Sequence, residues 1–190
     1  MRTQLKREDR YFVIWTVIFS VTVLIGGIVL EPFPIPYLGI TAASPLVVLM
    51  VTLNKLVIRR RFSVTAMYAV VSVMAIFTAY MGPPSILKPL FIFTGLAFDA
   101  GTFFKTRDIK LWNLIVGHLA LTIVGFTVFW LVFSIHTPNL SRVIGIALLA
   151  GAPGFFTLGV IASLVSLKAI KTDNPPIFLK RIWGQLGVLD

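Results

Sequence analysis

Two charged residues lie inside one otherwise apolar stretch, residues 85–104: Lys88 and Asp99. On a helix, eleven positions apart, they point within about 20° of the same direction and are separated by ~16 Å in height. Gly95 falls on the same stripe. Charges inside a membrane span face the bundle interior or water, so this is the inward face. Lys88, about one turn below the outer end, is placed to meet an anionic or carbonyl group of a ligand, or to snorkel to the outer headgroups. Asp99 lies near the inner end of its stretch, and His118 lies at similar depth on the next. A buried Asp99–His118 hydrogen bond would satisfy both groups, as a proton relay or as a polar lock between helices. Asp99 reaching Lys105 or the Arg59–Arg61 cluster is the open alternative.

Other chemistry is sparsely represented. With no cysteine and two histidines far apart, thiolate sites are absent and no metal site is expected. No nucleophile turn, His-Glu-x-x-His or phosphate loop occurs. Glu31 and Asp99 are the carboxylates in or near the apolar stretches, too few for metal-assisted phosphoryl or prenyl transfer. The reading is a non-enzyme without cofactor or metal.

The elements that must position these residues are six apolar stretches, 11–30, 37–57, 62–81, 85–104, 111–135 and 143–167. Each approaches the ~20 residues that cross a bilayer as a helix. The composition is 57% hydrophobic and 13% charged, where a soluble domain carries about a quarter charged residues. The fold class expected is all-α: one six-helix transmembrane domain over 1–190, with 168–190 a cytoplasmic tail. Of the 17 basic residues, all but Lys88 and Arg142 fall before the first stretch, at the end of the second and just after it (Lys55, Arg59–Arg61), after the fourth and in the tail. Basic residues stay on the cytoplasmic side, so both termini are expected inside a multi-pass protein of the cell membrane. Topology and anionic lipid explain the net charge of +10 without nucleic acid as a partner.

The outer connections are rich in proline. Glu31–Tyr37 alternates proline with apolar residues and suits either a lid or a tight link. Gly82-Pro83-Pro84-Ser85 breaks the chain, with Ser85 expected to cap the fourth helix. Pro45 and Pro153 interrupt the second and sixth stretches, and the sixth is dense in small residues that favour close helix packing.

Phe33-Pro34-Ile35 through Ala43-Ser44-Pro45, Lys88-Pro89-Leu90 through Asp99, and Gly151-Ala152-Pro153-Gly154, in a six-helix frame of this size, resemble the S component of energy-coupling factor transporters. The resemblance implies a substrate-capture subunit that takes a small organic micronutrient, a vitamin or its precursor, from the outer side. It would work with a membrane T component and two ATPase subunits. Implied ligand contacts are Lys88, Tyr37, Tyr80, Trp130, Asn139 and Arg142. The family's small-residue docking surface on helix 1 maps to Thr16 and Ser20, which are not alanine here. The alternatives are a stand-alone secondary transporter or channel, and an assembly or lipid-handling membrane protein.

Overall fold

In a computed structural model the described residues are 2–30, 36–78, 85–170, 177, 180 and 182, with backbone alone at 2–8, 30 and 36–43. The described residues are almost wholly helical and contain no strand. Helix α1 spans Arg2–Leu30, α2 Pro36–Ile58, α3 Ser63–Met74, α4 Ile92–Gly101, α5 Leu111–His136 and α6 Ser141–Ile170. Short 3-10 turns extend α3 over Ala75–Phe77, lead into α4 over Lys88–Phe91, and join α5 to α6 over Pro138–Leu140.

Among the described residues, three stretches are long and apolar enough to cross a membrane: Asp9–Val29, Leu111–His136 and Pro138–Ile170. Helix α5 starts where the Lys110 amide donates to Asn113 Oδ1 (3.0 Å) and ends just before Pro138, which cannot continue it. Helix α4 packs between α3 and α5, α2 touches α1, α3 and α6, and α5 lies against α6. The core they share includes Val51, Met67, Phe98, Leu114 and Leu121. Helices α1 and α6 are peripheral: 28% and 17% of their most apolar windows are buried, against 44% for α5. Their outward residues, such as Val13, Val17, Ile25, Ile146 and Leu149, are apolar, as a lipid-facing surface requires.

The expected spans 62–81 and 85–104 are not continuous helices. Helix α3 has 12 residues and α4 has 10, which at 1.5 Å per residue gives about 18 and 15 Å. Both lengths fall well short of the ~30 Å hydrocarbon core. Two features shorten α4. Pro89 opens its first turn as 3-10, and Phe103 and Phe104 adopt left-handed backbone (φ 56° and 51°) that ends it. Ser85 does not cap α4 directly; its hydroxyl accepts the Leu87 amide (3.0 Å) in the turn before it.

Glycine lets the short α4 approach its neighbours closely. A methyl group at Gly95 would sit 2.7 Å from the Val64 carbonyl oxygen of α3, and one at Gly101 would sit 2.8 Å from Gly117 Cα of α5. The small residues of α6 divide by position. Gly159, Ala162 and Ser163 are buried, whereas Gly151 and Gly154 face open space.

Candidate functional site

The charged stripe of α4 faces α3, and its two charges meet opposite ends of that helix. Asp99 Oδ2 accepts both the Thr65 amide and the Thr65 hydroxyl at 2.8 Å, capping the first turn of α3 from another helix. Lys88 Nζ donates to the Ala75 carbonyl at 3.0 Å and to the Thr78 carbonyl, where α3 ends. Carboxylate at the N-terminus and ammonium at the C-terminus both complement the helix dipole. Gly95, midway between them, allows the two backbones into contact.

Asp99 also carries a second bond. Its Oδ1 lies 2.7 Å from Lys55 Nζ of α2, and both side chains are fully buried. Lys55 spends its other donors on the carbonyls of Arg60 (3.3 Å) and Arg61 (3.1 Å). Three donors on the ammonium and three acceptor bonds on the carboxylate are thus internal, the condition under which a buried ion pair is tolerated. The network ties α2, its following loop, α3 and α4 together at one end of the bundle.

His118 of α5 is fully buried beside this network, but its partner is not Asp99. Its Nε2 lies 2.9 Å from the Thr52 hydroxyl, and that hydroxyl donates its single proton to the Val48 carbonyl (2.8 Å). Nε2 therefore donates, and Nδ1 is the bare acceptor. Nδ1 has no hydrogen-bond partner and sits where a side chain at Gly159 of α6 would collide with the ring. The expected Asp99–His118 pair fails for a rotational reason. One residue is 100° of helix, and it is Phe98, at 5.0 Å between ring centroids, that faces the imidazole. Asp99 turns to α3 instead. Thr52 and Lys55, three apart on α2, each take one of the two groups.

The other expected site residues separate. Trp130 is partly exposed and fastens the start of α6 by donating from Nε1 to the Ser141 carbonyl (3.1 Å). Asn139 and Arg142 are exposed in the same α5–α6 connection. Lys88 is fully buried in its clamp on α3, away from those three in role. The Tyr37 side chain and Tyr80 lie outside the described residues, as does the proline-rich stretch 31–35. Thr16 and Ser20 are buried rather than displayed: Ser20 donates from its hydroxyl to Thr16 O (2.7 Å) and to Met67 O of α3 (3.2 Å). They seal α1 onto α3, so they do not form an outward docking surface.

Sequence reasoning counted Lys55 only among the basic residues of the inner gap. The signal that could have singled it out is the buried carboxylate itself, which needs a cation within reach. Asn54, its neighbour, is fully buried with neither amide atom hydrogen-bonded. Among the described residues, no group of three His, Asp or Glu side chains converges as a metal site. No protein-family model matches the chain, and no curated protein or solved structure matches it.

Proposed function

We propose that the chain is a multi-pass protein of the cell membrane with six membrane segments and both termini cytoplasmic. We infer that it serves as the substrate-capture subunit of an uptake transporter for a small organic micronutrient. Three long apolar helices and the outward apolar faces of α1 and α6 support the membrane setting. The gathering of the basic segments at one end supports the orientation: Arg60 pairs with Asp9 (2.9 Å), and the loop before α3 meets the loop before α5.

The observation that carries the capture reading is the contrast between the two ends. The inner end is closed by the saturated Lys55–Asp99–Thr65 network. The outer end is built from 3-10 turns and the exposed Trp130, Asn139 and Arg142. A bundle latched inside and irregular outside suits a ligand that enters from outside and needs other subunits for release inward. Trp130 offers a ring to stack on, and Arg142 a partner for a carboxylate or phosphate. On this reading a T component and two ATPases supply the release.

A stand-alone secondary transporter is the second reading, favoured by one observation: the buried Lys55–Asp99 pair and His118 lie side by side in the spans, where ionisable groups often serve transport. Affinity purification in detergent, with mass spectrometry of bound small molecules and of co-purifying proteins, separates the two. Capture predicts a retained organic molecule lost on Arg142→Ala, together with membrane and ATPase partners. A ligand-free chain that transports solute in liposomes without ATPases would overturn it.

A further inference from the structure

We propose that the surface made by the 59–62 and 102–110 loops is a binding site for anionic phospholipid headgroups of the cytoplasmic leaflet. This rests on the orientation proposed above. Among the described residues, the non-glycine positions with left-handed backbone are Arg59, Phe103, Phe104 and Asp108, with φ of 54°, 56°, 51° and 51°. All four lie in these two loops. Such backbone is sterically unfavourable for an L side chain, above all a bulky one, and persists where the surroundings impose it, often at functional sites. Glycine would make these turns more easily, yet the positions carry two phenylalanines, an arginine and an aspartate.

Those side chains are of two kinds. Phe103, Phe104, Phe62 and Trp112 leave 60%, 36%, 52% and 67% of their surfaces exposed, and the Phe62 and Phe104 rings join the loops at 5.3 Å. At the end of a membrane bundle Trp112 suits headgroup level, and exposed Phe rings beside it suit the boundary between headgroups and acyl chains. Around them the two loops carry six basic residues against one carboxylate, Asp108. Arg59 and Arg107 are close enough that, after burial, the Arg107 charge is the chief influence lowering the Arg59 pKa, with Asp108 opposing. Two guanidinium groups crowded together are relieved by a phosphate, which each can grip through two N–H donors. The positive end of the α5 dipole begins at the same surface, at Leu111. Rings for the interfacial zone beside guanidinium groups for phosphate match a phospholipid better than a soluble acidic protein, which would leave the rings wet.

The test uses the full chain in detergent, with thermal unfolding followed on addition of phosphatidylglycerol, phosphatidylcholine or glycerol phosphate. Phosphatidylglycerol should raise Tm saturably, with phosphatidylcholine much weaker and glycerol phosphate ineffective. Arg59→Gln/Arg107→Gln should weaken the apparent affinity about fivefold for each charge removed. Phe103→Gly should raise Tm without lipid, by relieving strain, yet shrink the phosphatidylglycerol response; it carries the test should the double variant not fold. Equal responses to both lipids, an undiminished response in the variants, an effect of glycerol phosphate alone, or retention of an acidic protein in place of any lipid response would overturn the proposal. The orientation is tested separately, by membrane-impermeant maleimide labelling of Arg61→Cys and Asn139→Cys.

Discussion

Lys88 and Asp99 hold the two ends of one helix that neither belongs to. Asp99 caps the α3 amide of Thr65, and Lys88 caps the carbonyls of Ala75 and Thr78 in the 3-10 turn that follows α3. Helix α3 has only 12 residues and no side-chain cap of its own at Phe62. A helix that short is marginal alone, so the antiparallel α4 and the 3-10 turn that leads into it supply its end groups in trans.

Replacing Lys88 with methionine should therefore act on stability before it acts on ligand. The change removes the ammonium's bonds to both carbonyls; the Ala75 oxygen keeps the Thr78 amide (2.9 Å) and hydroxyl (3.0 Å), while the part-buried Thr78 oxygen loses a charge-assisted partner, a bond worth about 1.5–3 kcal/mol in the general case. Thermal unfolding of the purified chain should show a clear fall in Tm. A variant with unchanged Tm but lost ligand retention would return Lys88 to the ligand contacts.

The Lys55–Asp99 pair gives a sharper test because both partners can be removed. Lys55→Met or Asp99→Leu alone strands a buried charge, and each should cost about 3–5 kcal/mol. The double variant Lys55→Met/Asp99→Leu should be much more stable than either single variant. The secondary-transport reading predicts that this double variant folds and fails to transport. Additive losses in the double variant would show that the two groups do not act as a pair.

What the sequence made legible here was direction, and what it hid was the neighbour. The 100° arithmetic placed Lys88, Gly95 and Asp99 on one stripe, and the structure keeps them on one face. It could not say that the face meets α3, because apolar stretches carry no label for their partners. Hydropathy likewise counts residues without regard to helix: 85–104 is apolar but for a few residues such as Lys88 and Asp99, yet Pro89 and the left-handed Phe103 and Phe104 leave α4 with 10 residues. His118 was rightly placed in the interior, but the one-residue rotation between Phe98 and Asp99 decided what it touches. The clustering of the basic segments was the clearest signal, and Arg60–Asp9 with Phe62–Phe104 brings those segments together.

Ser20 tests where helix 1 is free to meet a partner. Ser20 is fully buried and bonded to the α3 carbonyl of Met67, so Ser20→Leu overfills a packed contact, at about 1–3 kcal/mol. Val17, 41% exposed on the same helix, should accept Val17→Phe with Tm unchanged. If a membrane partner docks on α1, Val17→Phe should reduce its co-purification while the isolated chain stays intact. The reverse pattern, with Ser20→Leu stable but partner-free, would restore the inward pair as a docking surface.

The orientation can be read directly because the chain contains no cysteine, so a single introduced thiol reports without background. Arg61 and Asn139 are both exposed, in the connections at opposite ends of the bundle. Arg61 follows α2, which packs in the basic end with Asp9, whereas Asn139 joins α5 to α6 where Trp130 holds Ser141. With basic residues kept on the cytoplasmic side, a membrane-impermeant maleimide added to intact cells should label Asn139→Cys and spare Arg61→Cys. Both should react once the membrane is opened. Labelling of Arg61→Cys in intact cells would invert the orientation, and with it both the outer entry of ligand and the cytoplasmic placement of the Arg59–Arg107 surface. Equal labelling of the two sites in intact cells would leave an even number of crossings among α3, α4 and α5, and would reduce the number of membrane crossings below six.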